Sequence, residues 1–267
     1  MRRNTLLSLT IRALLFFRLP RQSLFTMIML IILPYSLEAA PAPPSPFTAE
    51  YEAQYGGFKA KAERSLEISD NGQVEMKTLL RLKMLGKTIS TIKEQSVLDP
   101  DALTGELKLA AYSFIQTGLG KRSRYISFDW ENGQAKADIG NDHYEIPLEF
   151  SVADNLSAYL ELRNQLVAGK KDIIFPAIDK GKLEEYHFKV IGEEDVKTSL
   201  GLLRSVKIER VREPGSNRST IIWLAPDWDC LLVKLEQQEK DSRGIRLELK
   251  HATVKGISVT GKSLGTL

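Results

Sequence analysis

The sequence predicts a mainly β fold: a strongly curved antiparallel meander sheet, or an open β-barrel, of about ten to thirteen strands with one amphipathic helix. Three observations predict it. Apolar and polar side chains alternate with a period of two along much of the chain past Phe47. Turns rich in glycine, asparagine and aspartate interrupt that alternation at short intervals. One stretch alone carries helical spacing. A sheet of this many strands curls, splits into two layers or closes on itself. Two tandem half-barrels joined near the helix are the main variant.

The elements follow in order. Val74, Met76, Leu80, Leu82 and Met84 share one parity, and Glu75, Lys77, Arg81 and Lys83 take the other, so the first set is expected to be buried. Asp70-Asn71-Gly72 tolerates positive φ and makes Phe58–Ile68 and Gln73–Leu85 a hairpin. Arg124–Trp130 puts Ile126, Phe128 and Trp130 on one face and runs into the turn Glu131-Asn132-Gly133. Asp154–Val167 breaks the pattern: Leu156, Tyr159, Leu160, Arg163, Leu166 and Val167 fall at helical spacing, Asp154 or Ser151 can cap, and Gly169 can stop the helix. Such a helix covers a sheet face or plugs one end of the barrel. Strand periodicity resumes at Lys182–Ile191 and at Leu202–Val211, where Leu202, Val206 and Ile208 oppose Arg204, Lys207 and Glu209 and the phase slips near Leu203. Pro214-Gly215-Ser216-Asn217 turns into Thr220–Leu224. Cys230–Gln238 and Ile245–Val254 close the series.

Residues 1–39 differ from the rest. Arg2, Arg3, Arg12, Arg18 and Arg21 precede an apolar run from Leu24 to Leu37, and Leu37-Glu38-Ala39-Ala40 supplies small residues. This is the pattern of a secretory signal peptide, cleaved after Ala39 so that Pro41 does not become the N-terminus. A transmembrane anchor is the competing reading, but Pro34 and Ser36 break a run that falls short of the roughly 20 apolar residues needed to span a bilayer. Residues 40–46 form a proline-rich tether, expected to be solvent-exposed and without a packing role. A β-rich domain over 47–257 and a C-terminal tail over 258–267 complete the organisation. The leader's five arginines and Glu38 contribute +4 to the chain's net charge of +3, so the remainder stands at −1. That balance removes the argument for nucleic acid as a partner. Cys230 is the one cysteine, so no intramolecular disulfide forms.

Few residues point to chemistry. His143, His187 and His251 stand far apart and in no metal-ligand spacing, so neither a metal nor a cofactor is expected. No Gly-x-Ser-x-Gly elbow is present. Gly118-Leu119-Gly120-Lys121 falls short of a phosphate loop; Lys121, Arg122 and Arg124 read either as an anion contact or as a solvated strand end. Cys230, next to Asp229 and an apolar run, reads as core filling with its thiolate disfavoured. The densest local composition is Trp223-Leu224-Ala225-Pro226-Asp227-Trp228-Asp229. Trp223, Asp227, Trp228 and Asp229 are therefore the candidate ligand-binding residues, as aromatic faces beside carboxylates suit a sugar or an amphipathic ligand. The alternative is a tight connection whose tryptophans plug one end and whose Asp227 bonds backbone amides. No catalytic residue is assigned.

Five stretches carry a resemblance: Phe47-Thr48-Ala49-Glu50-Tyr51, Ser127-Phe128-Asp129-Trp130, Asp154-Asn155-Leu156-Ser157, Asp179-Lys180-Gly181-Lys182 and Trp223-Leu224-Ala225-Pro226-Asp227-Trp228. Together they resemble the exported bacterial proteins grouped as domain of unknown function 3108, over about Phe47 to Val254. The resemblance implies a β-rich protein of the Gram-negative periplasm and carries over no catalytic residue. Cys230 departs from it, standing where an aromatic residue is expected. The function expected first is non-catalytic: binding of a hydrophobic or lipid-like envelope component. An envelope enzyme acting on glycan or peptidoglycan through Asp227 and Asp229, with Asp129 or Glu131, and a structural partner in an envelope complex are the alternatives. No stable membrane span is expected after the leader is removed.

Overall fold

The computed structural model describes residues 42–55, 58–239 and 242–263; the leader over 1–39 lies outside them. Eight strands form a first meander: β1 (Phe47–Tyr55), β2 (Phe58–Ile68), β3 (Val74–Met84), β4 (Lys87–Pro100), β5 (Leu107–Gly118), β6 (Arg122–Asp129), β7 (Gln134–Ile139) and β8 (Asp142–Pro147). Helix α1 (Ala158–Val167) follows. The second meander comprises β9 (Asp172–Asp179), β10 (Lys182–Thr198), β11 (Gly201–Val211), β12 (Arg218–Ala225), a 3-10 turn at Pro226–Trp228, β13 (Leu231–Glu239) and β14 (Ser242–Val254), and a two-residue β15 (Ile257–Ser258) folds back on β14. β14 pairs antiparallel with β1 and fuses the two meanders into one fifteen-stranded sheet with β8 at one edge and β9 at the other. The architecture is the curved antiparallel meander that the alternation predicts.

Among the described residues no ladder closes the gap between β8 and β9. The segment after β8 fills it instead: Ala153 makes a parallel bridge with Ala177, donating to Pro176 O at 3.0 Å and accepting from Ile178 N at 2.8 Å. Tyr144 of β8 packs against Gly181, where an added Cβ would lie 2.6 Å from the ring. Only glycine admits that contact.

The helix starts later than the apolar spacing predicts. Residues 154–157 form a turn ahead of the helix in which Asp154 Oδ1 accepts from the N–H groups of Leu156 (2.8 Å) and Ser157 (2.7 Å) and Asp154 O accepts from Ala158 N (2.9 Å). The N-cap residue is Ser157, without a side-chain cap bond, in place of the expected Asp154 or Ser151. Gly169, at φ +77°, ends the helix as expected. Ala158, Tyr159, Leu160, Leu162 and Arg163 are buried, while Val167 is exposed. Tyr159 meets Phe47 edge to face at 5.9 Å, so the helix packs onto the sheet's inner face. Burying side chains such as Leu66, Met76 and Ile173 contributes about 1.5–3 kcal/mol each.

Three local expectations are corrected. Pro44 and Ser45 of the tether are buried rather than solvent-exposed, because Arg163 and Asp229 hold the backbone there. Met84 is exposed because it leads into the tip at Leu85-Gly86. On β11 the inward residue is Leu203, not Leu202. The phase slip marks a bend. β9 pairs with β10 only as far as Lys189, and β12 pairs with β11 only from Val206, so Glu193–Thr198 and Gly201–Ser205 form a free two-stranded ribbon. That ribbon lies over the outer face of β13 and β14: Ser199 Oγ donates to Lys250 O at 3.0 Å, and Val196 and Leu200 pack on the core. The C-terminal segment straps its tip, with Leu202 N bonded to Lys262 O at 3.0 Å and Gly261 N to Leu200 O at 2.7 Å.

Candidate functional site

Residues paired in register across antiparallel strands share a face, so the register sorts the inner wall into rows. One row is apolar across eight strands: Val190, Ile208, Ile222, Leu235, Leu247, Ala53, Ala60 and Leu82. Ile208, Ala53, Ala60 and Leu82 are buried in it, whereas Val190, Ile222, Leu235 and Leu247 are only half-buried. Nearer the helix a different row runs from Ala49 through Arg64, Thr78, Glu94 and Phe114 to Arg124. Charges thus stand on the inward parity of β2, β4 and β6.

These charges are tied together. Tyr112 O–H donates to Glu94 Oε1 at 2.6 Å. Burial raises the Glu94 carboxyl above its ordinary range, opposed by the Tyr112 bond and the charges of Arg64 and Arg124. Arg124 Nη1 lies 3.5 Å from Asp179 Oδ1 and so couples β6 to β9 across the gap in the sheet. Asn155 Nδ2 donates to Asp179 at 3.0 Å, and Tyr186 O–H donates to Asn155 Oδ1 at 2.7 Å. Ser96 Oγ donates to the fully buried Asp154 at 2.8 Å. Burial pushes the Asp154 carboxyl up to about 6, and its Oδ2 has no partner among the described residues. Arg64 lies over the Tyr159 ring at 5.5 Å.

The four candidate residues from the sequence do not meet in one pocket. Trp223 is buried under the ribbon, its Nε1 donating to Glu194 Oε1 and its ring flanked by Lys234 (4.5 Å) and Lys207 (5.2 Å). It lines an outer groove of about 510 Å³ with Glu194, Lys234 and Glu248. Asp227 is exposed and accepts from Arg204 Nη2 at 2.7 Å, which holds its carboxyl below the usual range. Trp228 is half-buried against the core. Asp229 binds Arg163 at 2.8 Å and accepts from Ser45 N at 2.7 Å, while Arg163 also donates to Ala42 O at 2.6 Å and Pro43 O at 3.2 Å. Asp229 and Cys230 both take positive φ, 53° and 60°, which turns the chain sharply at this clamp. The Cys230 thiol is pushed up to about 11, by burial first and then by Asp229. Asp129 instead accepts from Asn132 N (3.0 Å) and Nδ2 (2.8 Å) in its own turn. Among the described residues no group of three or more His, Cys, Asp or Glu side chains is arranged to hold a metal ion.

The sequence model of the family described as "Protein of unknown function (DUF3108)" matches residues 50–250. The chain belongs to the DUF3108 family. No curated protein sequence matches it. Among solved structures, this DUF3108 chain is similar to a β-barrel-like protein of domain of unknown function DUF1849 from Brucella abortus. The TM-score is 0.52 at 11% identity, covering 79% of this chain and 98% of the other. At that identity the likeness concerns the fold alone.

The residues that sequence reasoning misses are Arg64, Glu94, Asp154 as a buried carboxyl, and Asp179. Arg124 stands out in the sequence, but as a strand-end cation. The signal that could have found them is a charge on the apolar parity, as in Ala60, Ala62, Arg64, Leu66 and in Ile92, Glu94, Ser96, Leu98.

Proposed function

We propose that this DUF3108 protein is an exported, non-catalytic carrier of the periplasm that holds a hydrophobic or lipid-like envelope component against the inner wall of its curved sheet. One observation carries the reading: an apolar row spans eight strands of that wall, and Val190, Ile222, Leu235 and Leu247 within it remain half-buried. Apolar side chains left incompletely covered along a concave surface favour an apolar occupant. The leader pattern at residues 1–39 supports export.

Native mass spectrometry of the protein purified from the periplasm tests this. A co-purifying lipid mass that solvent extraction removes is the expected result. A protein that reaches the periplasm and shows only its own mass, with no uptake of added single-chain lipid, contradicts the carrier reading. N-terminal sequencing of the same sample tests cleavage after Ala39.

A further inference from the structure

The inner wall carries a second group of charges that differs from the Arg64–Glu94–Arg124–Asp179 layer. Arg210 continues the inward parity of Ile208 on β11, and its guanidinium lies 3.7 Å from the centre of the Tyr186 ring and 6.0 Å from that of Phe188. Arg212 follows two residues on, and its Nη2 donates to Thr220 Oγ1 at 3.2 Å. Thr220 is buried on β12, on the same parity as Arg218. Arg218 has a carboxylate, pairing with Glu239. Arg210 and Arg212 make no ion pair with any described residue.

The arrangement is unfavourable as it stands. Arg212 Nε is buried and has no hydrogen-bond partner among the described residues. Burial, and then the charges of Arg210 and Arg218, lower the Arg212 guanidinium from its ordinary value, opposed more weakly by Tyr186 and Glu184. A guanidinium presents five donors in a fixed fork matched to carboxylate and phosphate oxygens. An oxyanion supplies both an acceptor for the unpaired donor and a charge opposite to the clustered cations.

We propose that Arg210 and Arg212, with Thr220 and Arg218 beside them, bind a phosphate-type oxyanion at the inner wall. The anion is free phosphate or, resting on the carrier reading above, the head group of the amphiphile whose chain lies along the apolar row. Tyr186 holds the Arg210 plane in place by stacking, and the hydroxyl of Thr220 orients Arg212.

Calorimetric titration of the purified, leader-free chain with inorganic phosphate, dodecyl phosphate and dodecyl maltoside tests the proposal. The expected result is binding of both phosphates, weakened by about tenfold or more in Arg210→Gln/Arg212→Gln, as for loss of charge-assisted hydrogen bonds. Arg246→Gln, on the outer face and paired with Glu248, retains full affinity. Arg212→Lys keeps the charge without the fork and binds at an intermediate level. If the double variant loses its native circular dichroism, Arg212→Gln alone supplies the comparison. Equal phosphate affinity in parent and variant, or no phosphate binding in the parent, overturns the anion site. The two readings separate cleanly. Phosphate binding with dodecyl phosphate no tighter keeps the anion site and removes the carrier. Dodecyl maltoside binding that ignores both arginines, without phosphate binding, keeps the carrier and removes the anion site.

Discussion

The two charged regions of the inner wall contain similar side chains in opposite states. In the layer running from Arg64 to Arg124, each carboxylate has a donor: Glu94 has Tyr112, and Asp179 has Asn155 and Arg124. Around Arg210 and Arg212 the cations outnumber their partners, and a buried guanidinium nitrogen bonds nothing described. Buried charges cost stability unless paired and hydrogen-bonded. The first region therefore reads as structure, a polar lock that joins the two meanders across their unclosed gap. The second leaves a buried guanidinium nitrogen free for the proposed oxyanion.

Variants can break or sharpen this contrast. The largest effect belongs to the most fully paired charge. Arg163, nearly inaccessible, holds Asp229 and the carbonyls of Ala42 and Pro43. Arg163→Ala should cost about 3–5 kcal/mol in urea unfolding, since it strands a partly buried carboxylate. A loss under about 1 kcal/mol, the range of an exposed pair, would mean that the N-terminal segment is not held by this clamp.

Asp154 comes next, and its effect depends on pH. Its folded-state value, about 6, stands above the ordinary aspartate value of 3.8. The group therefore contributes stability that is complete below about pH 4 and is lost as pH rises through 6. The difference amounts to about 3 kcal/mol. Asp154→Asn should flatten the stability profile between about pH 4 and 7, as measured by chemical denaturation; an unchanged slope would assign the pH dependence to another group.

Smaller effects separate the two regions directly. Tyr112→Phe removes the donor to Glu94 and should destabilise by about 1–2 kcal/mol. Arg212→Gln removes a like charge while keeping a donor for Thr220. It should stabilise the ligand-free protein by about 0.5 kcal/mol, the upper end of the usual effect of a substitution outside the core. A comparable loss of stability in both variants would erase the distinction between a paired and an unpaired region.

Much of the fold is legible in the order of residues along the chain. The alternation of Val74, Met76 and Leu82 against Glu75 and Lys77 reports one buried face, and the turn at Asp70-Asn71-Gly72 reports the hairpin. Even the slip near Leu203 carries information, because it marks where β11 bends into the ribbon over β14. The site is less legible for a physical reason. Arg64, Glu94 and Arg124 lie on separate strands, far apart in sequence, and only the register of four strand pairs aligns them. A charge on an apolar parity can snorkel to solvent at a strand end or turn inward, and local sequence does not decide between these. The Trp223–Asp229 stretch shows the converse. Its density of aromatic and acidic residues is visible at once, yet the turn at Pro226 and the positive φ of Asp229 send the side chains to separate partners.

The proposed occupant of the inner wall is an amphiphile, with its head group at the arginines and its chain along the apolar row. A crystal structure of the complex with dodecyl phosphate decides the matter. Phosphate oxygens within hydrogen-bond reach of Arg210 and Arg212, and an alkyl chain beside the half-buried Ile222, Leu235 and Leu247, are the expected result. An alkyl chain lodged instead in the outer groove beside Trp223 and Lys234 would contradict it.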